Sequence, residues 1–355
     1  MSRARPSATS TVRGLEQRLL RRVREVRLAA GATIAVAFSG GTDSLALLAA
    51  LSRTQQRSGP ALLAVHIDHA LRVESAAEAM RAGALAATLD VPFRCLRLAG
   101  VVQRHPGVGV EEAARRERYL ALAAVMEDER AALLAVGHQR DDHAETVLLH
   151  LLRGAGPAGI AGMTERSVLP VPWWPGAPEP IRALEIWRPL LGETPETLRH
   201  YVEGLGLVPV EDASNDDPVF RRNAVRHQVL PLLERLQPGA TAALGRYANI
   251  AGEEDRLLAS YAEAAWHRVW SDDALSASRL AEEPLALARR IIKRWLTDAI
   301  GAAPSADRVD AVLDLVRCKA GRRCVEVGAC RVVWVEEGGV RIGVTNQAAE
   351  LRPGH

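Results

Sequence analysis

Residues 37–51 read AFSGGTDSLALLAAL, an apolar strand running into Ser39-Gly40-Gly41-Thr42-Asp43-Ser44 and then into the apolar start of a helix. Few local patterns constrain a fold more tightly. Two glycines let the backbone curl so that several N–H groups converge on one point, and the helix N-terminus adds positive potential there. The result is a cradle for phosphate. A Walker loop would end in Gly-Lys-Ser/Thr, whereas this one carries an aspartate. With no lysine to grip the terminal phosphates, chemistry between the first two phosphates of a nucleotide is the better expectation, with Asp43 placed to hold Mg²⁺. The plain alternative is an ordinary tight strand–helix turn.

Around this loop, apolar and mostly β-prone runs at 33–38, 62–67, 93–98 and 132–136 alternate with helical patterns at 43–53, 75–89 and 111–127. Such alternation predicts an α/β fold with a doubly wound, mainly parallel sheet, whose ligands sit beyond the carboxyl ends of the strands. A further helix is expected at 13–28. The Pro- and Trp-rich stretch 169–186 breaks the alternation and reads as a surface loop or insertion. Residues 239–317 read as helices with little β signal. From 322 to 344 the pattern alternates in strand fashion around Glu336-Glu337-Gly338-Gly339, a hairpin turn. The expected organisation is a disordered tail over 1–12, an α/β domain carrying the phosphate loop over 13–232, a helical domain over 233–320 and a short β tail over 321–355.

At 355 residues the chain is long enough for two or more domains. It contains no apolar stretch of membrane-spanning length, and its first residues lack an apolar leader, so a cytoplasmic protein without a membrane partner is expected. A net charge of +2 does not announce nucleic-acid binding, although only Lys293 and Lys319 among the 45 basic residues are lysines. Genome composition explains most of that bias, and local arginine clusters are where guanidinium forks would serve phosphate. Cys95, Cys318, Cys324 and Cys330 form no C-x-x-C pair. They read as small apolar residues rather than as ligands or disulfides.

Further groups fall at the predicted strand ends. His66-Ile67-Asp68-His69-Ala70-Leu71-Arg72 follows the second strand and fits a pocket edge contacting a nucleotide better than a metal site. On the helix at 111–127, Arg115 and Arg118 share a face, which alone is no more than a solvated, salt-bridged surface. The fourth strand gives way to Gly137-His138-Gln139-Arg140-Asp141-Asp142-His143-Ala144-Glu145. Ala144, Val147, Leu148 and Leu151 mark the buried face of its helix, so Asp142 and Glu145 project from another face near its start. Two carboxylates aimed at the crevice suit an ammonium group or magnesium, and could help an amine lose a proton. Asp141 or Asp142 would also cap the helix. Last, an acidic loop at 211–215 leads to Phe220-Arg221-Arg222-Asn223-Ala224-Val225-Arg226, where Arg222 and Arg226 share a face fit to grip phosphate.

The Ser-Gly-Gly-x-Asp-Ser loop resembles the PP-loop of the ATP pyrophosphatases. The wider set of SGGTDS, HIDHALR, AARRERY, GHQRDDHAETVLLHLLRGAGPAGIAGM, WRPLL and EDASNDDPVFRRNAVR is similar to the tRNA(Ile)-lysidine synthases and spans residues 38 to about 226. Two positions depart from the family pattern, in which a histidine is usual at Gln139 and a glutamine at His143. The stretch at 169–186 is also longer than the resemblance leads one to expect.

This resemblance implies ATP-dependent adenylation of the C2 oxygen of the wobble cytidine in a CAU anticodon, followed by displacement of AMP by the amine of free L-lysine. It implies ATP and Mg²⁺ at Ser39, Gly40, Gly41, Thr42, Asp43 and Ser44, with His66, His69, Arg72, Gly137 and His138 around the nucleotide. Asp43, Asp142, Glu145 and Arg222 would be catalytic, and Arg115, Arg118 and Arg226 would contact tRNA or phosphate. The partners implied are tRNA(Ile) with the CAU anticodon and lysine; whether the chain pairs as a homodimer is left open. A sulfur-transferring relative would want paired cysteines, which are missing. A non-catalytic tRNA-binding protein would have no need of the intact acidic set.

Overall fold

In the computed structural model, α1 (Ala8–Val26) leads into β1 (Thr33–Ala37), α2 (Thr42–Gln55), β2 (Ala61–Asp68), α3 (Ser75–Thr88), β3 (Phe93–Arg97), α4 (Val110–Asp128) and β4 (Leu133–Val136). The chain continues through α5 (Arg140–Leu152), α6 (Pro157–Ile160), β5 (Arg166–Val171), β6 (Arg182–Trp187) and α7 (Pro195–Gly204). The structure describes residues 8–55, 59–70, 74–174, 177, 182–210, 221–271, 273–317 and 324–344. Outside these lie Arg72, Cys318, the acidic loop 211–215 with the residues up to 220, and the first seven residues of the expected tail. Residues 8–12, assigned to that tail from sequence, begin α1 instead.

The six strands form one sheet in the order β3-β2-β1-β4-β6-β5. All neighbours are parallel except β5 and β6, which pair from Arg166↔Trp187 to Val171↔Arg182. Side chains alternate across the sheet as strand geometry requires. Ile34 and Val36 join Leu62, Leu133 and Ala135 against α1, α2 and α7, while Ala35, Leu63, Val65 and Leu134 face Tyr119, Leu122 and Met126 of α4. Burying leucine- or valine-sized side chains this fully stabilises by roughly 1.5–3 kcal/mol each before entropy is counted. Strand order reverses between β1 and β4, and doubly wound sheets place their ligands at the carboxyl ends beside such a reversal.

Two sequence expectations are corrected here. The stretch 169–186 is no simple surface loop, because parts of it complete β5 and β6. Pro170 lies on β5, an edge strand, where a missing N–H costs least. The cysteines are not core fillers: Cys95, Cys324 and Cys330 are exposed free thiols.

The chain divides into two compact units, Met1–Asn249 and Ile250–His355. The remaining elements are α8 (Arg221–Ala224), a π-helical turn (Val225–Val229), α9 (Leu230–Leu236), α10 (Ala240–Val269), β7 (Trp270–Ser271), β8 (Ala274–Ser276), α11 (Ala277–Glu282), α12 (Leu285–Ile300), α13 (Ala306–Arg317), β9 (Cys324–Gly328), β10 (Arg331–Glu336) and β11 (Gly339–Val344). Within the second unit the tail strands and the helices share one core, where Ile292, Leu296 and Val312 meet Val327, Val333 and Val340. β7 and β8, absent from the sequence reading, extend the tail to a five-stranded sheet in the order β7-β8-β11-β10-β9. The expected turn is present: Glu337 and Gly338 both have positive φ, 51° and 79°, as a two-residue hairpin of primed type requires. Among the described residues no helix is long and apolar enough to cross a membrane.

Candidate active site

The phosphate loop leaves β1 at the sheet reversal and braces itself. Ser44 Oγ accepts from the Ser39 N–H at 3.2 Å and donates to the Gly41 carbonyl at 3.1 Å, while the Gly41 N–H reaches Ser39 Oγ at 3.3 Å. Gly40 has φ +89°, and a Cβ there would stand 2.9 Å from Val210 Cγ2. Glycine is required at this position on both counts. Gly137, at the end of β4, packs so closely that an added Cβ would lie 3.1 Å from the Asp43 and Ser44 backbone. The two motifs read separately in the sequence therefore meet at one place.

α5 opens on a capping box in which Gln139 Oε1 accepts from the Asp141 N–H at 2.7 Å and Asp142 Oδ2 accepts from the Gln139 N–H at 2.9 Å. The cap is thus Gln139, one of the two departures expected from the resemblance, rather than Asp141 or Asp142. His143, the other departure, is buried and accepts the Met163 N–H at Nδ1, 3.3 Å away. The expected amphipathic arrangement of α5 is partly inverted. Glu145 is 0% exposed and Asp142 is buried, whereas Leu151 is exposed.

The buried carboxylates are held by guanidiniums. Arg226 Nε donates to Glu145 Oε1 at 2.6 Å and its Nη2 to Asp142 Oδ1 at 2.8 Å, while Arg222 Nε donates to Glu145 Oε2 at 2.7 Å. Sequence reading gave the shared face of Arg222 and Arg226 to phosphate; in this structure it grips the acid pair. Arg226 begins the second residue of a π-helical turn, a local widening often found at functional sites. Burial alone would lower Arg226, yet the hydrogen bond and charge of Glu145, aided by Asp142 and Asp43, hold it above its ordinary value.

Among the described residues no guanidinium bonds to Asp43, although the Arg226 charge favours its ionised form. Burial, reinforced by the negative charge of Asp142, pushes its carboxyl up to about 7. A carboxylate left this short of positive charge, on a phosphate loop, fits a divalent cation bound with nucleotide phosphates.

The remaining predicted residues surround this centre unevenly. His69 and His138 are held neutral, the first pushed down to about 4 and the second to about 3, by burial and then by surrounding charge, with Arg118 acting on both. Each has a buried Nδ1 without a partner among the described residues. His66 is buried and its Nδ1 is 2.9 Å from the Phe38 carbonyl, so it ties β2 to the base of the loop. Arg115 lies over the Tyr119 ring at 5.2 Å, and Arg118 over the same ring at 5.7 Å. Burial lowers Arg118, with Arg115 and Arg222 acting in the same direction. Sequence reasoning missed Arg188. It follows β6 at the carboxyl edge of the sheet, donates from Nη1 to the Thr164 carbonyl and Ser167 Oγ, and keeps a buried Nε without a partner among the described residues. Its place in WRPLL, just beyond a strand end, was the available signal.

A PP-loop domain model matches residues 14–233 and a TilS substrate binding domain model matches 275–338. A tRNA(Ile)-lysidine synthase from Salinispora tropica is 41% identical over 279 residues, covering 77% of this chain and 78% of that protein. The chain belongs to the tRNA(Ile)-lysidine synthase family. A second family member, from Alkalilimnicola ehrlichii, is 38% identical over 294 residues, which is 82% of this chain and 62% of that protein. Against the relative from Pseudomonas syringae pv. tomato the chain spans about half the length, 52%. The structure of the U34-tRNA thiolase NcsA from Methanococcus maripaludis superposes with a TM-score of 0.56 at 16% identity, over 68% of this chain and 80% of that one. That likeness speaks for the fold alone.

Proposed function

We propose that the chain is an ATP-dependent ligase that joins free L-lysine to C2 of the wobble cytidine in the CAU anticodon of tRNA(Ile). The product would read AUA instead of AUG and carry isoleucine identity in place of methionine. One observation carries this reading: a phosphate loop without a lysine stands at the sheet reversal, close enough to the Asp142/Glu145 pair for Asp142 to raise Asp43.

The order of steps follows from the chemistry. The C2 oxygen of cytidine is a poor leaving group until it is esterified, so it first attacks the α-phosphorus of ATP and pyrophosphate departs. The lysine amine then attacks C2, the C2–O bond breaks, AMP leaves and the nitrogen loses its proton. The backbone N–H groups of Ser39–Ser44 bind the phosphates. Asp43 would hold Mg²⁺, which supplies neutralising charge to the phosphates when bound. Neutral His138 and His69 line the nucleotide as hydrogen-bonding groups that add no charge. Because lysine carries an ammonium with a reference pKa of about 10.4, Asp142 and Glu145 have to bind it as a cation and favour its loss of a proton. They are already matched by Arg222 and Arg226, so the incoming ammonium exchanges with a guanidinium. The freed arginine then faces the phosphates. The target base reaches such a pocket only when unstacked, which an anticodon loop allows.

The test is ATP–pyrophosphate exchange without lysine. Exchange should depend on CAU-anticodon tRNA(Ile) and on Mg²⁺. Exchange at full rate without RNA, or with methionine tRNA in its place, overturns the reading.

A further inference from the structure

Beside the site, α4 and the β5–β6 hairpin bring arginines and aromatic rings together in a way that the adenylation chemistry does not use. Trp173 and Trp174 meet edge to face at 5.2 Å, and Trp173 meets Tyr119 edge to face at 5.4 Å. Arg115 reaches over Trp173 at 5.9 Å and Arg116 over Trp174 at 4.9 Å. Arg116 is also paired with Glu112 at 3.0 Å. Arg115, Arg118 and Arg188 have no carboxylate partner among the described residues, and the Arg188 side chain, whose residue is 8% exposed, carries an unsatisfied Nε.

We propose that this basic–aromatic wall, with Trp174, Trp173, Arg115 and Arg188 at its centre, binds the single-stranded RNA loop that presents the target base, stacking bases beside it and holding their phosphates. The proposal rests on the reading of the chain as an enzyme acting on an anticodon loop. It adds residues and a binding mode that the catalytic set does not include. Two physical arguments select RNA. Unpaired guanidiniums at a buried margin are costly unless an anion completes them, and the nucleotide phosphates already have the Ser39–Ser44 cradle. Rings interleaved with arginines match the way single-stranded nucleic acid is held, since every base offers a face to stack upon. Trp173 also packs on the core beside Tyr119 and Trp174 meets the His105 ring at 5.5 Å, so the indoles are held in place before any ligand arrives.

The experiment measures affinity of the full chain for an isolated CAU anticodon stem-loop at several salt concentrations, with ATP affinity measured in parallel. Trp174→Ala should weaken the stem-loop by about ten- to hundredfold, as loss of one stacked base does, with Trp174→Phe recovering most of it. Arg115→Gln should weaken binding and reduce the salt slope by about one. ATP affinity should not change in the Trp174 variants, which also shows that they are folded. Wild-type stem-loop affinity in Trp174→Ala and Arg115→Gln, with lysine transfer intact, overturns the wall and leaves the enzymatic reading standing. Equal losses for ATP and RNA overturn it as well. A wild-type chain that neither binds nor modifies the stem-loop sinks both.

Discussion

Two sides of the same crevice treat charge in opposite ways. At α5, Asp142 and Glu145 are matched by two guanidiniums that reach them through five hydrogen bonds to carboxylate oxygens. Among the described residues, Asp43 at the phosphate loop has no such hydrogen-bonded partner, and Arg115, Arg118 and Arg188 have no carboxylate paired with them. A matched buried pair holds its own geometry, and removing one member is expensive because the other is left charged and dry. An unmatched group costs stability in the free protein and gains most when a ligand of opposite sign arrives. The lesson is that the paired half holds the pocket's shape until a cation displaces a guanidinium, whereas the unpaired half stands ready for ligands of opposite sign.

That contrast can be broken by comparing the two acids directly. Glu145→Ala leaves Arg222 and Arg226 facing a void, and should lower unfolding free energy by about 3–5 kcal/mol in chemical denaturation; a loss near zero would end the claim that the network is structural. Asp43→Asn should do the reverse. Its stability at pH 8 should equal or exceed that of the natural chain, while ATP–pyrophosphate exchange falls by about 10²–10³, the cost of losing one preorganised electrostatic contact. Full exchange activity in this variant would remove Asp43 from the chemistry.

Gly40→Ala sharpens the comparison from the backbone side. With φ at +89° and Val210 Cγ2 only 2.9 Å from the new Cβ, it should lose about 1–3 kcal/mol and weaken ATP binding measured by titration. Unchanged binding would mean that the loop is not held as described.

The smallest effect is a pH slope. The Asp43 carboxyl stands at about 7 in the folded protein against an ordinary 3.8, so between those values the folded state holds the extra proton. Stability from this group is therefore full below about pH 4 and is lost as pH rises to about 7. His69 and His138, depressed to about 4 and about 3, act in the opposite sense, losing stability as pH falls below 6.5. Subtracting the Asp43→Asn curve from that of the natural chain isolates the aspartate. A flat difference between pH 4 and 7 would contradict an unmatched Asp43.

Much of the fold was legible because local and global signals agree. β1 through β4 and the helices between them fall within a few residues of their sequence-derived limits, and the Ser39–Ser44 loop and Gly137 stand at the expected strand ends. The edge hairpin was not legible, since the proline- and tryptophan-rich connection between β5 and β6 masks two short strands that pair with each other. β7 and β8 were hidden by their shortness, being two and three residues long. Within the site, sequence supplied the charged residues but not their pairing. Nothing in the spacing of Arg222 and Arg226 says whether they meet phosphate or the carboxylates of Asp142 and Glu145, which lie about eighty residues earlier. Gln139 and His143 could be seen as departures, but their roles as helix cap and acceptor of the Met163 N–H emerge only from packing.

The most direct test of the whole account is incorporation of labelled lysine into CAU-anticodon tRNA(Ile) in the presence of ATP and Mg²⁺. The account predicts ATP-dependent labelling of that tRNA, none of methionine tRNA with the same anticodon, and loss of labelling in Asp43→Asn. Pyrophosphate exchange with no lysine incorporated, or labelling that survives without ATP, would contradict it.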